Sequence, residues 1–518
     1  MMTVGQALVA GLRARGVEVV FGIPGVHTIE LYRGLSGGGI RHVTPRHEQG
    51  AAFMADGYAR VSGKPGVAFV ITGPGLTNAL TAMAQARADS VPILVISGVN
   101  RRASLGQGLG LLHELPDQAG MVRALCPTFQ VDRPEVLDSV LTQAFAALTT
   151  GRPGPVHIEI PTDVMPLPCP LPAPPAAPAA AGLPDLTGAV QRLALAQRPV
   201  ILAGGGARQA DAALRALAER LDAPVVQTVN ARGLMHGHPL TVPASPSLNA
   251  VRALIAGSDQ VLALGTEFGP TDYDMYVRGG LPDLSGMIRV DLCAAQLARH
   301  PAALTLRADA GAVMAALLPQ LGAKTAEGAA RAAAARAGAR AELAPAMRHQ
   351  LAMLEVIRDA APGSILVGDS TQPVYAGNLY YDHDRAGGWF NAATGFGALG
   401  FGPGAAVGAA LASPGTPVIC LIGDGGLQFS PGELRTALDE RLPVTFVVWN
   451  NAGFQEIADS MVDAGTEVIG CTPSPLKMGP FAEACDLPFA SVPADPAALR
   501  QALEARPAGP NLIEIRLI

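Results

Sequence analysis

The chain has 518 residues, of which 49% are hydrophobic and 15% are charged. This length is too great for a single hydrophobic core and predicts roughly three domains, and the composition is not that of a disordered protein. The net charge of -6 excludes a strongly basic surface, so neither nucleic acid nor an anionic membrane is an expected partner. The expected partner is a small molecule.

The first residues, "MMTVGQALVAGLRARGVEVVFG", place apolar positions at helical spacing and lack the successive regions of a secretory signal. No run of about 18 apolar residues occurs elsewhere, so no membrane-spanning helix is expected. The six cysteines are scattered and form no C-x-x-C pair and no zinc-ligand pattern with histidine. We therefore expect a cytoplasmic protein with reduced cysteines in its core.

Two changes in composition divide the chain. Residues 164–184, "VMPLPCPLPAPPAAPAAAGLP", are rich in proline, which cannot join a sheet or a helix interior, and they predict an extended tether. Residues 323–343 are rich in alanine and arginine and predict an exposed helix or a loose connector. Apolar runs such as "GVAFVIT", "PVILAGG", "QVLALG" and "PVICLIG" end in turns, and helical patterns follow them. This alternation predicts α/β units with parallel sheets.

The segment "PVICLIGDGGLQFSPGELRTALDERLPVTFVVWNNAGF" has the pattern of one βαβ unit. Its first strand ends at Gly423 and Asp424, and its second strand ends at Asn450 and Asn451. Neighbouring parallel strands would bring these side chains to one edge of a sheet. Carboxylate and amide oxygens suit Mg²⁺, and the glycine N–H groups can approach a phosphate. Taken separately, G-D-G is also a common tight turn and N-N a common strand end.

Together the two motifs are specific, because G-D-G, then residues 426–449, then N-N resembles the signature of thiamine-diphosphate enzymes. The resemblance covers essentially the whole chain and is to the acetolactate synthase and 2-oxoacid decarboxylase branch. It implies an α/β protein of three doubly wound parallel-sheet domains: pyrimidine-binding at residues 1–165, central at 185–322 and diphosphate-binding at 345–518. It also implies thiamine diphosphate and Mg²⁺ as cofactors, and a homodimer or homotetramer with its sites at the subunit interface.

The resemblance also assigns polar residues of the third domain to the cofactor. Asp424, the Asn451 side chain and the Gly453 carbonyl would hold Mg²⁺ against the diphosphate. The Gly397 carbonyl would accept from the 4′-amino group, and Leu399 would separate the two rings of the cofactor; by its residue type alone, Leu399 would be an ordinary core residue. The remaining cofactor contacts implied by the resemblance are Ser370, Thr371, Gln372, Gly423, Gly425, Gly426 and Phe454.

The stretch "TPRHEQGAAFMADGYAR", residues 44–60, resembles the family segment that contains the catalytic glutamate. Glu48 would hydrogen-bond N1′ of the aminopyrimidine ring and promote loss of the thiazolium C2 proton. Without the cofactor motifs, Glu48 would be an ordinary acidic residue at a helix start. His27 and His113 are the polar candidates for handling the substrate carboxylate or a proton, and the competing interpretation is that both are solvated loop histidines.

Departures from family patterns point to the substrate. The chain has Ile457 where pyruvate-type decarboxylases have a glutamate, with Glu456 just before it. The segments "FGIPGVHTIELYRGL", "NRRASLGQG" and "HELPDQ" are most similar to decarboxylases of 5-guanidino-2-oxopentanoate, which release CO₂ and 4-guanidinobutanal. A guanidinium tail requires a carboxylate partner. The acids expected to border the site are Asp272, Asp274, Glu114, Asp117 and Glu456.

Three alternatives compete with this assignment. An acetolactate synthase-like carboligase would use the same site to join two 2-oxoacids. A catalytically silent paralogue would bind the cofactor as a subunit, but the presence of Glu48, Asp424 and Asn451 argues against it. The glycine-rich turn "LAGGGARQ", residues 202–209, is a weak nucleotide signal, because such a turn equally marks a tight strand–helix junction. FAD is therefore not predicted.

Overall fold

A computed structural model of the protein describes residues 2–37, 39–175, 182–273 and 282–517. In these ranges the chain forms three sheets of six strands and one antiparallel pair of short strands. All neighbouring strands within the three large sheets are parallel. The predicted α/β fold with three parallel sheets is thus confirmed.

The first sheet has its most apolar strands at its centre. The chain begins with β1 (Met2–Thr3), and the strands of the first sheet are β2 (Val19–Gly22), β3 (Arg41–Val43), β4 (Gly66–Val70), β5 (Ile93–Val99), β6 (Thr128–Gln130) and β7 (Val156–Pro161). The strand order is β3-β2-β4-β5-β7-β6. Every residue of β4 and β5 is buried, as expected for parallel strands covered by helices on both faces. The helices are α1 (Val4–Ala14), α2 (Ile29–Leu35), α3 (Glu48–Ser62), α4 (Pro74–Ala88), α5 (Gln118–Arg123) and α6 (Leu137–Thr149).

The second sheet follows a short strand, β8 (Pro168–Cys169), that pairs with β1. Its strands are β9 (Pro199–Ala203), β10 (Val225–Gln227), β11 (Thr241–Val242), β12 (Gln260–Leu264), β13 (Ile288–Asp291) and β14 (Leu304–Arg307). The strand order is β11-β10-β9-β12-β13-β14, so the predicted runs "PVILA" and "QVLAL" are central neighbours. The helices are α7 (Thr187–Leu195), α8 (Asp211–Leu221), α9 (Asn249–Ala256), α10 (Pro270–Tyr273), α11 (Ala294–Leu297) and α12 (Ala310–Leu317).

The third sheet follows two helices, α13 (Gly328–Glu342) and α14 (Pro345–Ala360). Its strands are β15 (Ile365–Gly368), β16 (Trp389–Asn391), β17 (Val418–Gly423), β18 (Val444–Asn450), β19 (Phe489–Pro493) and β20 (Asn511–Arg516). The strand order is β16-β15-β17-β18-β20-β19. The helices are α15 (Gln372–Leu379), α16 (Phe401–Ala412), α17 (Asp424–Leu427), α18 (Glu433–Asp439), α19 (Gln455–Asp463), α20 (Met478–Ala484) and α21 (Pro496–Glu504).

Two segments between the sheets differ from the sequence-based expectation. Pro168 belongs to a strand that pairs with Thr3, so the prediction that prolines of the tether join no sheet is wrong at this position. A two-residue edge pair tolerates proline because few N–H donors are needed there. The alanine-rich segment is a packed helix, α13, whose Ala332, Ala335 and Ala339 are buried. The helix alternative is therefore correct and the loose connector is wrong, but only one face of the helix is exposed, because these alanines form a buried apolar stripe.

The described ranges contain no helix that combines the length and the apolar character needed to cross a membrane. All six cysteines lie in these ranges as free thiols, and five of them are buried.

The first and third sheets meet through α3 and α16, whose backbones approach closely. A Cβ atom on Gly57 would lie 2.0 Å from the carbonyl oxygen of Ala405, and one on Gly408 would lie 1.9 Å from that of Met54. These distances are shorter than any van der Waals contact, so the helix pair requires glycine at both positions. Because α3 begins at Glu48, this contact also holds the helix that carries the predicted catalytic glutamate.

We expect Gly57→Ala to destabilise the protein by about 1–3 kcal/mol, since the added methyl group forces α3 away from α16. The midpoint of thermal unfolding measures this effect. Gly188→Ala in α7 is the matched control, because its Cβ would meet only the Leu304 side chain, at 3.5 Å. Equal melting temperatures for the two variants would contradict the role given to this helix contact.

Candidate active site

Three neighbouring strands of the third sheet bring the predicted cofactor residues together. The strands β15, β17 and β18 are adjacent and parallel, so residues 368–372, 423–426 and 450–454 follow the same edge. The prediction that Asp424 and the asparagine pair follow side-by-side strands is therefore confirmed. Carboxyl ends of parallel strands are where α/β sheets bind ligands.

Asp424 Oδ1, the Gly453 carbonyl oxygen and the side-chain amide of Asn451 converge at this edge, and we call these three groups the oxygen cluster. One terminal atom of the Asn451 amide lies 3.1 Å from Asp424 Oδ1 and 2.9 Å from the Gly453 carbonyl oxygen. With its nitrogen at this position, the amide donates to both neighbours. Rotation of the amide by 180° turns its oxygen to the same place, so a carboxylate, an amide and a carbonyl group can supply the oxygen ligands that a hard divalent ion prefers.

The electrostatics of Asp424 agree with this interpretation. Its side chain is almost completely buried, and burial raises the pKa of the carboxyl group, while hydrogen bonds from backbone N–H groups such as that of Asn451 lower it. A cation among the oxygens would offset the cost of burying the charge. No cluster of three or more His, Cys, Asp or Glu side chains that could hold a metal occurs in the described ranges. The oxygen cluster contains only one residue of these types, Asp424, so it is not a cluster of that kind.

The residues after β15 offer a fit for phosphate oxygens. The Ser370 hydroxyl is buried and, within the described structure, has no hydrogen-bond partner. A Cβ on Gly423 would lie 3.1 Å from Thr371 Oγ1, and one on Gly425 would lie 2.6 Å from the Phe454 ring. The glycines thus allow Thr371 and Phe454 to approach the turn closely. Gln372 Oε1 accepts from Asn451 Nδ2 at 3.3 Å.

Asp369 lies in the predicted diphosphate segment "VGDSTQ", residues 367–372, but the sequence analysis gave it no role of its own. Its Oδ1 accepts from Ser370 N and its Oδ2 from Gly402 N, each at 2.8 Å. Burial raises the pKa of this carboxyl group to about 6. Asp369 therefore joins the turn after β15 to the start of α16. Its position directly after an apolar strand is the sequence signal that could have identified it.

Glu48 is the first residue of α3, as the sequence predicts, and is half-buried. Its Oε2 accepts from Asn78 Nδ2 at 3.0 Å, a partner that no sequence pattern indicates. The preceding residues are held by Glu433 of α18, which accepts from the backbone N–H groups of Arg46 and His47 at 3.1 and 3.2 Å. Burial raises the pKa of Glu433 to about 6. The residues before α3 are therefore hydrogen-bonded to the third domain of the same chain.

The two histidines singled out from the sequence lie together. The ring centroids of His27 and His113 are 5.5 Å apart, with the rings nearly perpendicular. Burial and the neighbouring His113 lower the pKa of His27. The His27 Nδ1 atom is buried and has no partner among the described residues. The pair is therefore more than two solvated loop side chains.

Glu48 and the two histidines have their contacts within the first domain. Glu48 bonds with Asn78 and the histidines contact each other, whereas Asn451 N donates to Asp424 Oδ1 in the third domain. Among the described residues, no hydrogen bond or ring contact joins the first-domain group to the oxygen cluster.

The loop before α16 carries the two remaining cofactor candidates. Gly397 is exposed and adopts a left-handed backbone conformation with a φ of 76°. Its N–H donates to the Ala392 carbonyl at 3.0 Å. Leu399 is half-buried. Glycine is favoured at position 397 because other residues rarely adopt this φ.

The structure describes the side chains of three of the five acids predicted to border the substrate, Glu114, Asp117 and Glu456. Glu114 accepts from the N–H groups of Leu109 and Leu111, and Asp117 caps α5 by accepting from Gly120 N. Both carboxylates are thus used within their own loop. Asp274 lies outside the described residues, as does the side chain of Asp272.

Glu456 differs from those acids. It lies in the first turn of α19, directly after the oxygen cluster, and is half-buried. Burial and the nearby Asp459 raise the pKa of Glu456, whereas a hydrogen bond with Gln372 lowers it. Among the predicted substrate acids whose side chains are described, Glu456 alone interacts with a residue of the cofactor edge, Gln372.

The glycine-rich turn of the central domain lines a cavity of about 740 Å³ between the first, second and third sheets. A Cβ on Gly204 would lie 2.2 Å from the Gly265 carbonyl oxygen, and one on Gly206 would lie 2.8 Å from Gly265 Cα. Close packing of two strand ends therefore explains these glycines without a nucleotide, and FAD is still not predicted.

Three family models match the chain in order. The N-terminal TPP binding domain of thiamine pyrophosphate enzymes matches residues 2–121, the central domain matches 186–317, and the C-terminal TPP binding domain matches 369–515. The chain therefore belongs to the thiamine pyrophosphate enzyme family and is a thiamine-diphosphate-dependent enzyme.

Individual enzymes of this family are similar to the chain over most of its length. A probable 2-ketoarginine decarboxylase of Pseudomonas aeruginosa is 45% identical over 91% of this chain and 86% of its own length. The large subunit of acetolactate synthase isozyme 1 of Escherichia coli K12 is 31% identical over 99% of this chain and 93% of its own. A thiamine diphosphate-dependent 4-hydroxybenzoylformate decarboxylase of Rhodococcus jostii RHA1 superposes with a TM-score of 0.83 at 25% identity and covers 99% of both chains.

Proposed function

We propose that this enzyme decarboxylates 5-guanidino-2-oxopentanoate, also called 2-ketoarginine, to 4-guanidinobutanal and CO₂, with thiamine diphosphate and Mg²⁺. The observation that carries the proposal is the 45% identity with a probable 2-ketoarginine decarboxylase, against 30–33% with the acetolactate synthases. The reaction takes up one proton as the carboxylate leaves and involves no oxidant. It would belong to the breakdown of arginine, in the cytoplasm.

The bound cofactor supplies the carbon nucleophile and accepts the electron pair that CO₂ leaves behind. Asp424, Asn451 and the Gly453 carbonyl would hold Mg²⁺, which neutralises the diphosphate, and the buried Ser370 hydroxyl would donate to a phosphate oxygen. The convergence of Asp424 Oδ1, the Asn451 amide and the Gly453 carbonyl oxygen supports this assignment. Thr371, Gln372 and the glycines of residues 423–426 line the same strand ends.

Other residues of the chain would orient the cofactor rings and move protons. Glu48 would hold a proton at the aminopyrimidine N1′, the Gly397 carbonyl would accept from the 4′-amino group, and Leu399 would keep the rings bent. His27 and His113 would bind the substrate carboxylate or deliver the proton that replaces CO₂. The lowered pKa of His27 favours its neutral imidazole, which can accept a proton at one nitrogen and donate an N–H hydrogen bond from the other.

We also propose that two copies of the chain build each site. Among the described residues, no hydrogen bond joins Glu48 to the oxygen cluster within one chain, and a second copy could bring the first domain of one subunit to the third domain of the other. A homodimer is the smallest assembly that meets this requirement, and a homotetramer contains two such dimers.

The substrate assignment predicts strong discrimination. The enzyme is expected to turn over 5-guanidino-2-oxopentanoate with a kcat/KM at least about 10³ times that for pyruvate, because a neutral tail leaves a carboxylate that the bound substrate desolvates without its partner. Rates of CO₂ release, with product analysis in the presence and absence of a second 2-oxoacid, measure this. Equal or faster turnover of pyruvate, with acetolactate as the product, would instead establish the carboligase alternative.

We propose that Glu456 is the carboxylate that pairs with the guanidinium group of the substrate. Glu456→Gln is expected to reduce the preference for the guanidino substrate about tenfold or more, the effect of one hydrogen bond to a charged group. Asp463→Asn is the matched control, because Asp463 is an exposed acid at the end of the same helix. A preference unchanged in Glu456→Gln would remove this residue from substrate recognition.

A further inference from the structure

The loop that carries Gly397 and Leu399 is fastened to the end of α4 by two hydrogen bonds. At its start, Thr394 Oγ1 donates to Asp89 Oδ1 at 2.7 Å. Near its end, the Ala398 N–H donates to Gln85 Oε1 at 3.2 Å. Gly397 therefore lies within a segment that is hydrogen-bonded to the first domain at both ends, and Leu399 lies one residue beyond that segment.

The two anchors belong to one buried network. Gln85 Nε2 donates to Asp89 Oδ2, and so does an Arg60 guanidinium N–H, each at 2.7 Å. Arg60 Nε also donates to Asp56 Oδ1 at 2.6 Å. The side chains of Arg60 and Asp89 are only 2% and 1% exposed. Charge-assisted hydrogen bonds away from water are strong and directional, so the network holds Asp89 in one position.

Arg60 also contacts both flanks of the loop. Its guanidinium carbon lies 5.3 Å from the Phe390 ring centroid in β16 and 5.6 Å from that of Phe401, the first residue of α16. Cation–π contacts at these distances are attractive. The network thus binds the loop and the two elements that the loop connects.

We propose that Asp89 and Thr394 are positioning residues that set the place of the Gly397 carbonyl and of Leu399 against the cofactor rings. The proposal rests on the proposed function, because it requires Gly397 and Leu399 to be ring contacts. The diphosphate and metal groups follow other strands, β15, β17 and β18. Loss of the Thr394 hydroxyl should therefore alter the chemistry at the rings while cofactor affinity is retained.

The experiment compares Thr394→Val with Thr394→Ser, which restores the hydroxyl. Two quantities are measured on the full-length enzyme with Mg²⁺: the affinity for thiamine diphosphate by calorimetry, and hydrogen–deuterium exchange at C2 of the bound cofactor. Thr394→Val is expected to slow exchange about tenfold, equivalent to about 1.4 kcal/mol, with less than about a threefold change in affinity. Thr394→Ser is expected to exchange like the wild type. Thr149→Val is the control, because that hydroxyl bonds only within α6, to the Phe145 carbonyl.

Wild-type exchange in Thr394→Val, or an equal loss in Thr394→Ser, would overturn the positioning role. A loss of affinity that parallels a loss of thermal stability would show a merely structural role and would also overturn it. If Thr394→Val does not fold, Gln85→Met tests the other anchor, with the same expected slow exchange at retained affinity. A wild-type enzyme that does not bind thiamine diphosphate would refute the proposed function itself, and this inference with it.

Discussion

Asp424→Ala is expected to abolish the Mg²⁺-dependent retention of thiamine diphosphate. Asp424 contributes the only formal negative charge to the oxygen cluster, and the amide and carbonyl groups that remain are neutral and hold a dication much more weakly. Loss of an outer partner of a metal ligand costs 10–100-fold in affinity, so loss of a direct ligand should cost at least about 100-fold. Asp424→Asn keeps an oxygen without the charge and is expected to fall between the wild type and alanine.

Calorimetric titration with thiamine diphosphate, with Mg²⁺ and with a chelator, measures this loss. Asp463→Ala provides the matched control, because it removes the same charge from an exposed position at the end of α19. Wild-type affinity in Asp424→Ala would show that the oxygen cluster is not the metal site.

Glu48→Gln is expected to slow hydrogen–deuterium exchange at C2 of the bound cofactor by about 10²-fold or more, the usual contribution of a general acid–base group. A neutral amide cannot hold the ring proton as a carboxylate does. The local structure should persist, because the glutamine oxygen can still accept from Asn78 in place of Glu48 Oε2. The diphosphate affinity should also persist, since the residues that bind this group lie on the third sheet.

The control for this variant is Glu30→Gln, which changes an acid in the first turn of another first-domain helix, where its partner is the exposed Arg33. It is expected to leave both exchange and cofactor affinity unchanged. If Glu48→Gln exchanges as fast as Glu30→Gln, Glu48 does not take part in proton removal.

Some of the candidate site was predictable from local sequence. Asp424 and Asn451 follow apolar runs in a βαβ pattern, and such runs form neighbouring parallel strands whose ends meet. Glu48 was identified by resemblance to a family segment, and the structure places it at the start of α3. In each case the pattern lies within about forty consecutive residues, and its geometry follows from the regular dimensions of strands and helices.

Other features depend on residues that are distant in sequence. Pro168 pairs with Thr3, and Asn78 donates to Glu48, although neither partner is marked by a pattern. Glu114 and Asp117 were predicted near the substrate from their loop, but their carboxylates bind backbone N–H groups of that loop. Sequence identifies the carboxylate, whereas its orientation is decided by which donors fold beside it.

The sequence by itself determined the α/β class, the order of the three sheets and the strand ends that carry Asp424 and Asn451, because hydrophobic periodicity and glycine turns act over short spans. Only the tertiary structure decided that Asp89, 305 residues away from Thr394 in sequence, anchors the loop of Gly397, and that Arg60 is buried between two carboxylates. Such contacts form when separate domains exclude water from a shared surface, and each buried charge must then find its partner there.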